Sequence, residues 1–420
     1  MKREPLVFAG VCDWAGIVRG KAFPEADMDV RLKKGVGLTH SNIMMSSFGP
    51  IYATPFGTAG DLIIRPDPRV RIEVPFDDGT AERFFLGDIV NTDGRPWEYC
   101  PRTFLARSLE ALGKFGLRVV ASFEQEFVLT GVEERPGATY ALDSFRRQGR
   151  FGETLVAAIR TAGFTPDSFL PEYGPRQYEA TVAAEEGVRA ADAAVVLREL
   201  ARAVAWRMGQ RAIFAPMLAP NGIGNGTHIH LSLWDGAAPV THDPAAAHGI
   251  SSRAAPFFAG VLAHLPAICA FSAPSVASYY RLTPNRWAPV RADFGRQDRG
   301  VALRVAPVFP TSPETPERQF NVEFRVADGS NCPYLALGAI VWAGIDGLVR
   351  QLALPPAEAE ALPLPRSLAE ALSALETDES TASWWSAQAL AAYLAFKRAE
   401  IKALDGATPE EVCARYAAVY

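Results

Sequence analysis

The sequence predicts an α+β protein of two unequal domains, a small β-rich one over residues 1–100 and a larger mixed one over residues 101–420. Three observations lead there. The chain has 420 residues, more than one hydrophobic core usually organises. Its first hundred residues carry short apolar runs broken by Gly, Pro and Asp, the pattern of strands joined by turns. Beyond Pro101, apolar residues recur at helical spacing between extended runs, so helices and strands intermix.

In order along the chain, residues 6–11 and 62–65 read as strands of the small domain. Phe104, Leu105, Leu109 and Leu112 mark one face of a helix that starts at Pro101 and leads into the apolar run 119–129. Val195, Leu197, Leu200 and Val204 place a helix over residues 188–208, and residues 384–401 read as a helix that ends the chain. The Ala- and Pro-rich stretch 354–365 is expected to be a connecting loop.

About half of the residues (49%) are apolar, so a sizeable core is available. A net charge of -5 and a pI near 5.8 give no general pull toward nucleic acid or anionic membrane, and small-molecule chemistry is the better expectation. The five cysteines are widely spaced without a CxxC pair, which favours reduced thiols in a cytoplasmic protein. No apolar segment with a cleavage site follows the N-terminus. The longest apolar stretch, 333–345, is shorter than the ~20 residues of a membrane span. A soluble chain is expected.

Four segments stand out, three bearing acids and one a histidine pair: Glu124 with Glu126, Glu172 with Glu179, His228 with His230, and Glu323 with Arg325. On one strand, Glu124 and Glu126 would point to the same face. Two readings stand for them, solvent-facing carboxylates on an edge or ligands of a shared cation, and their Val, Phe and Leu flanks favour the second. Each acid of the turn-rich segment 172–179 is, taken singly, more often solvated than functional. His228 and His230 follow the glycine-rich segment 221–226 and are either a hydrogen-bonded core pair or ligands. Many oxygens with one imidazole suit Mg2+ or Mn2+ better than zinc. Arg281, Arg299, Arg304 and Arg325 lie in mostly apolar surroundings, where their forks serve either surface acids or phosphate and carboxylate groups.

In this order and spacing the segments resemble the glutamine synthetase family, from about residue 8 to the C-terminus. The stretches 121–127, 172–179 and 225–232 match its Glu-x-Glu, second acidic and Gly-x-His-x-His-x-Ser motifs, and 278–284, 298–304, 322–328 and 331–337 match the remaining signatures. The resemblance implies a β-grasp N-terminal domain and a catalytic domain of curved antiparallel strands flanked by helices. It also implies a homo-oligomeric ring, commonly a double-ring dodecamer, with each active site closed by the neighbour's small domain. Substrates would be glutamate, an amine and ATP. By position Glu126, Glu179 and Glu323 would hold one metal, and Glu124, Glu172, Glu179 and His228 the other. His230 and Ser232 would lie at the nucleotide and Arg299 and Arg304 at the phosphates. Arg281 and Arg325 would hold the carboxylates of glutamate, beside the backbone of Gly224.

The chain departs from the family at both carboxylates that bind ammonium. Thr39 stands where the small-domain acid belongs, and Trp287 replaces the glutamate of the flap loop. Ile223 replaces an Asn beside glutamate, and Asn321 replaces an Arg near the phosphates, for which Arg318 is the candidate substitute. Losing both ends of one subsite while keeping the metal and glutamate sets implies a changed nucleophile. The expected activity is therefore an ATP-dependent γ-glutamylamide synthetase using an amine other than ammonia, an aromatic or bulky alkyl amine before a polyamine, in a subsite built around Thr39 and Trp287. The rival readings are an ammonia-using glutamine synthetase, a polyamine ligase and a catalytically silent family member.

Overall fold

The computed structural model describes residues 3–42, 44–49, 54–57, 59–356 and 360–420. Its N-terminal part is a five-stranded sheet in the spatial order Val18–Pro24, Leu6–Cys12, Ala81–Asn91, Asp61–Pro75, Val36–Thr39. The first and last segments of the sheet's chain path pair in parallel, Phe8 with Phe84 and Gly10 with Leu86, while the other pairings are antiparallel. With the helix Met28–Lys34 packed on the long strand, this is the nearly closed, grasp-like sheet that the resemblance implies. The expected strand 62–65 is the start of a fifteen-residue strand. Pro66, Asp67 and Pro68 read as a break in sequence, yet the strand passes them by a register shift between Pro66 and Arg71 and resumes pairing. That irregularity turns Asp67 onto Arg102, described below.

Two further sheets build the larger part. One has the path Glu185–Glu186, Arg118–Phe123, Ile229–Asp235, Val322–Phe324, Leu303–Val305, Phe294–Arg296, with Ala238–Pro239 off it; the other runs Ala212–Ile213, Gln125–Leu129, Gln177–Val182, Pro166–Pro171. The expected single strand through Glu124 and Glu126 is thus broken at Glu124: the residues before it belong to one sheet and those after it to the other. The two carboxylates line one cavity from either side of that break and do not share a strand face.

Helices cover the sheets. Pro101–Gly113 and Val188–Arg207 lie close to the expected positions. The expected helix at 384–401 begins only at Ala387, because Ser386 caps it by accepting from the Ala389 amide at 3.1 Å. It does not end the chain, for Pro409–Val419 follows with a capping box between Thr408 and Glu411. The stretch 354–365 is irregular where described, and residues 357–359 of it lie outside the described residues.

The apolar stretch 333–345 is the core of the helix Pro333–Arg350. That helix packs tightly on Ala255–Ala263: a Cβ on Gly260 would lie 2.2 Å from the Ala343 carbonyl oxygen. Among the described residues no single helix is long and apolar enough to cross a membrane. The bent pair Ala255–Ala263 and Leu265–Ser272, which meet at 76°, comes nearest in length and composition, and its Phe257, Phe258, Val261, Ile268 and Phe271 are buried in the protein core.

Candidate active site

The divergence of the sheets at Glu124 opens a cavity of about 1160 Å³. Glu124, Glu126, Glu172, Glu179 and His228 line it on one side, Gly224, Arg281, Arg299 and Arg325 on another, and Trp287 closes its rim. Strand register does much of the assembly. Glu126 is directly opposite Glu179, His230 opposite Glu323, and Glu323 opposite Arg304. Like charges placed opposite each other destabilise a sheet, so the Glu126–Glu179 pairing needs compensation from donors or a cation nearby.

Glu124 sits at the centre of two ligand groups. Its Oε2 is 3.1 Å from His228 Nδ1 and its Oε1 2.9 Å from His230 Nε2. One set of atoms within 4.8 Å of one another comes from Glu124, Glu179 and His228, and a second from Glu124, His230 and Glu323. The first contains three of the four residues expected at one metal. The second brings in His230, which had been expected at the nucleotide, while Glu126 and Glu172 are engaged elsewhere. Glu126 accepts from the Gly226 amide at 2.7 Å and from Gln177 at 3.3 Å; Glu172 accepts from the Tyr140 hydroxyl at 3.0 Å.

Burial, reinforced by Glu124, Glu126, Glu172 and Glu323, pushes the Glu179 carboxyl well above the usual range. Burial and the nearby Glu126 raise Glu172 to about 7. Glu124 is also penalised by burial, but His230 and His228 hold it well below its ordinary value. His230 is raised to about 9, burial being outweighed by Glu124 and Glu323. Crowded carboxylates, of which Glu172 and Glu179 are raised by burial and by neighbouring acids, arranged with imidazole atoms around one cavity, fit a divalent cation of the Mg2+ or Mn2+ type.

The arginines occupy two tiers. Arg304 donates to Glu323 at 2.5 Å and Arg325 donates to the other oxygen of the same carboxylate. Arg325 also reaches the carbonyls of Arg299 at 3.1 Å and Trp287 at 3.3 Å. Arg281 spends its two terminal nitrogens on the carbonyls of Arg325, Val326 and Ala327, each at 3.0 Å. It therefore braces the chain that carries Arg325, and it lines the cavity. Among the described residues the cavity wall does not include Thr39, His230, Ser232, Glu323, Arg304 or Arg318. Thr39 is exposed on the small domain and bonded to Ser41 and Asn42. Ser232 accepts from Trp234 Nε1 at 2.9 Å, and Arg318 covers the ring of Trp234 at 5.3 Å.

Several residues around the site carried little chemical signal in sequence. Gln177 cross-braces the site, its amide donating to the Gly224 carbonyl and Asn225 at 2.8 Å each. Asn321, read from the sequence only as a replaced Arg, orients His230 by accepting from its Nδ1 at 2.7 Å. Tyr140 and Tyr173 join Trp287 at the rim. Position beside Glu172 was the one clue to Tyr173, and Tyr140 lies in a loop without any.

Profiles of two families match the chain, the glutamine synthetase N-terminal domain over residues 4–97 and the glutamine synthetase catalytic domain over residues 98–416. The chain belongs to the glutamine synthetase family. Members of the glutamine synthetase family are ATP-dependent ligases that use a divalent metal. Among curated glutamine synthetase relatives, the chain is 32% identical to gamma-glutamylpolyamine synthetase GlnA3 of Streptomyces coelicolor, over 96% of this chain and 91% of that one. It is 29% identical to the glutamine synthetase of Pyrococcus horikoshii, over 84% of this chain and 76% of that one. Among solved glutamine synthetase relatives, a crystal structure of a novel glutamine synthase homolog superposes with a TM-score of 0.96 at 40% identity, covering 100% and 99% of the two chains. GmaS in complex with ADP superposes with a TM-score of 0.83 at 26% identity, covering 96% and 94%.

Proposed function

We propose that the protein is a γ-glutamylamide synthetase that joins the γ-carboxylate of glutamate to an amine other than ammonia, an aromatic or bulky alkyl amine being favoured. The observation that carries this reading is Trp287. It stands 62% exposed on the rim of the cavity, where an ammonia-using relative would present an acid. A large flat apolar face there disfavours ammonium and suits a hydrocarbon substituent.

A carboxylate oxygen of glutamate attacks the γ-phosphorus of ATP, forming γ-glutamyl phosphate and releasing ADP. The nitrogen of the neutral amine then attacks the acyl carbon, phosphate leaves, and the nitrogen loses one proton. Arg325, braced by Arg281, would hold a carboxylate of glutamate beside Gly224, and Arg299 with Arg304 and Arg318 would face the phosphates. His230 and Ser232 would lie toward the nucleotide. Mg2+ or Mn2+ would be held by Glu124, Glu172, Glu179 and His228 in one set and by Glu126, Glu179 and Glu323 in the other, supplying charge neutralisation to the transferred phosphoryl group. An alkylammonium must shed a proton before attack, whereas an arylamine is neutral at pH 7, so a site without the ammonium-binding acids suits the latter.

We also propose a domain division near residue 100, a cytoplasmic location, and a double-ring dodecamer in which the segment around Thr39 of a neighbouring copy completes the acceptor subsite. A polyamine-glutamylating ligase is the second reading, favoured by the similarity to the Streptomyces coelicolor enzyme. The test is phosphate release with Mg2+, ATP and glutamate across ammonium, alkylamines, polyamines and anilines, with product masses read in parallel. Turnover of aryl or bulky alkyl amines with the matching amide mass supports the favoured reading. Spermidine or ammonium as the best acceptor sinks it, and absence of turnover with every acceptor points to another acid substrate or a silent homologue.

A further inference from the structure

Tyr173 is exposed on the cavity wall. Its ring meets Trp287 at 5.3 Å between centroids, tilted 47°, and Tyr140 at 5.5 Å, nearly edge-on at 80°. Tyr140 and Trp287 both hold positive φ, 51° and 55°, a conformation bulky side chains rarely adopt. Each is nevertheless tied down. The Tyr140 hydroxyl donates to Glu172, the Trp287 carbonyl accepts from Arg325, and the adjacent Arg286 donates to the carbonyls of Pro220 and Gly222. Strained backbone that keeps three ring faces open to a cavity is the mark of a ligand surface. Around the rings the wall is neutral or cationic, formed by Ile223, Pro284, Ala288 and Arg286. Glu172, the nearby acid, is already engaged by Tyr140 and by the Tyr173 amide at 3.1 Å.

We infer that Tyr173 selects the organic substituent of the amine, its ring face and that of Trp287 taking an aryl or extended alkyl group, with Tyr140 as the positioning residue that supports Tyr173 edge-on. This rests on the amide-synthetase reading and gives it a specificity determinant. Offset ring contacts and dispersion reward hydrocarbon here. A second ammonium at the far end of the substituent would meet Arg286 instead of a free carboxylate.

The experiment compares KM for benzylamine, hexylamine, methylamine and 1,4-diaminobutane at saturating ATP and glutamate. Tyr173→Leu should raise the benzylamine-to-methylamine KM ratio about tenfold, while Tyr173→Phe, which keeps the ring, should hold it. Tyr140→Phe keeps the edge contact and should hold the ratio, and Tyr140→Ala should raise it. An unchanged ratio in Tyr173→Leu overturns the inference and leaves the amide-synthetase reading standing. Equal weakening toward all amines, with a changed assembly mass, makes Tyr173 a packing residue and also overturns it. A preference for 1,4-diaminobutane that survives both leucine and phenylalanine overturns it in favour of charge recognition. Wild-type protein that turns over no amine removes the underlying reading itself.

Discussion

Glu179 carries a charge conflict that its own neighbours create: Glu126 faces it across the strand pair, and Glu124 and Glu172 approach it in the same cavity. Neutralising it should relieve repulsion in the metal-free protein and remove a ligand from the loaded one. Glu179→Gln is accordingly expected to unfold at a higher temperature than wild type in chelator and to lose most of the stabilisation wild type gains from Mn2+. That gain is about 2.7 kcal/mol when the ion is at a hundred times its Kd. A thermal melt with and without Mn2+ checks both signs, and an unchanged Mn2+ response would mean the acids hold no ion. Trp287→Ala should shift acceptor preference toward small amines, read from relative kcat/KM. The chemistry of these residues was legible beforehand because acids and histidines in apolar flanks have few other uses. Their partners were not: Gln177 and Tyr140 are ordinary polar or aromatic residues until the fold brings them within 3.3 Å or less of an acid or a backbone carbonyl.

Between elements, the most informative joint is His264, at the bend between Ala255–Ala263 and Leu265–Ser272. Its Nε2 meets Asp346 on Pro333–Arg350 at 2.8 Å and its Nδ1 meets Asp378 at 2.6 Å, just after Leu368–Thr377. Arg350 pairs with Asp346 at 3.0 Å and Ser380 also faces it. Burial opposes charge on His264, but the two carboxylates raise its pKa above 6.5, and burial of Asp346 is outweighed by His264 and Arg350, which lower it below 3.8. A raised histidine gives its full stabilisation below its unfolded value and loses it as pH rises through the folded one; a lowered aspartate loses its share as pH falls through its own. The joint is thus strongest between about pH 4 and 6.5. His264→Gln should cost about 1–3 kcal/mol at pH 6, below the range for a fully buried pair because both aspartates are partly exposed. The gap from wild type should narrow at pH 9, as urea midpoints at the two pH values will record. Gly260→Ala, which forces a Cβ against the Ala343 carbonyl, should cost about 1–3 kcal/mol or more in the same assay. The helices themselves were readable from periodicity, whereas the break at Glu124 was not, since an apolar run records burial and not which of two sheets receives it.

Across the whole molecule, Arg102 joins the small sheet to the catalytic helices. On Pro101–Gly113, it donates to Asp67 at 2.8 Å and Asp88 at 3.0 Å on the N-terminal hairpin, and to both oxygens of Asp192 on Val188–Arg207 at 3.0 Å. Tyr334 adds a 2.6 Å bond to Asp192. Arg102→Leu leaves buried Asp192 with only the Tyr334 hydroxyl and Asp67 with only the exposed Arg69 at 2.7 Å, and should cost about 3 kcal/mol. Arg102→Lys keeps the charge but not the fork and should fall between. Urea denaturation checks the order, and equal midpoints for the leucine variant and wild type would show that the hub adds nothing. For assembly, light scattering should give twelve times the 45.4 kDa chain mass if the double ring forms.

The sequence by itself determined the class of fold, the family and the chemical inventory of the site, because periodicity, charge in apolar flanks and motif order are properties of neighbours along the chain. The tertiary structure alone decided that Glu124 lies at a divergence of sheets, that Glu126 opposes Glu179, that Arg281 braces three carbonyls and that Tyr140, Tyr173 and Trp287 form one wall. Each of these depends on strand register or on contacts between residues far apart in the chain. A one-residue slip would undo such a juxtaposition while leaving every local pattern intact.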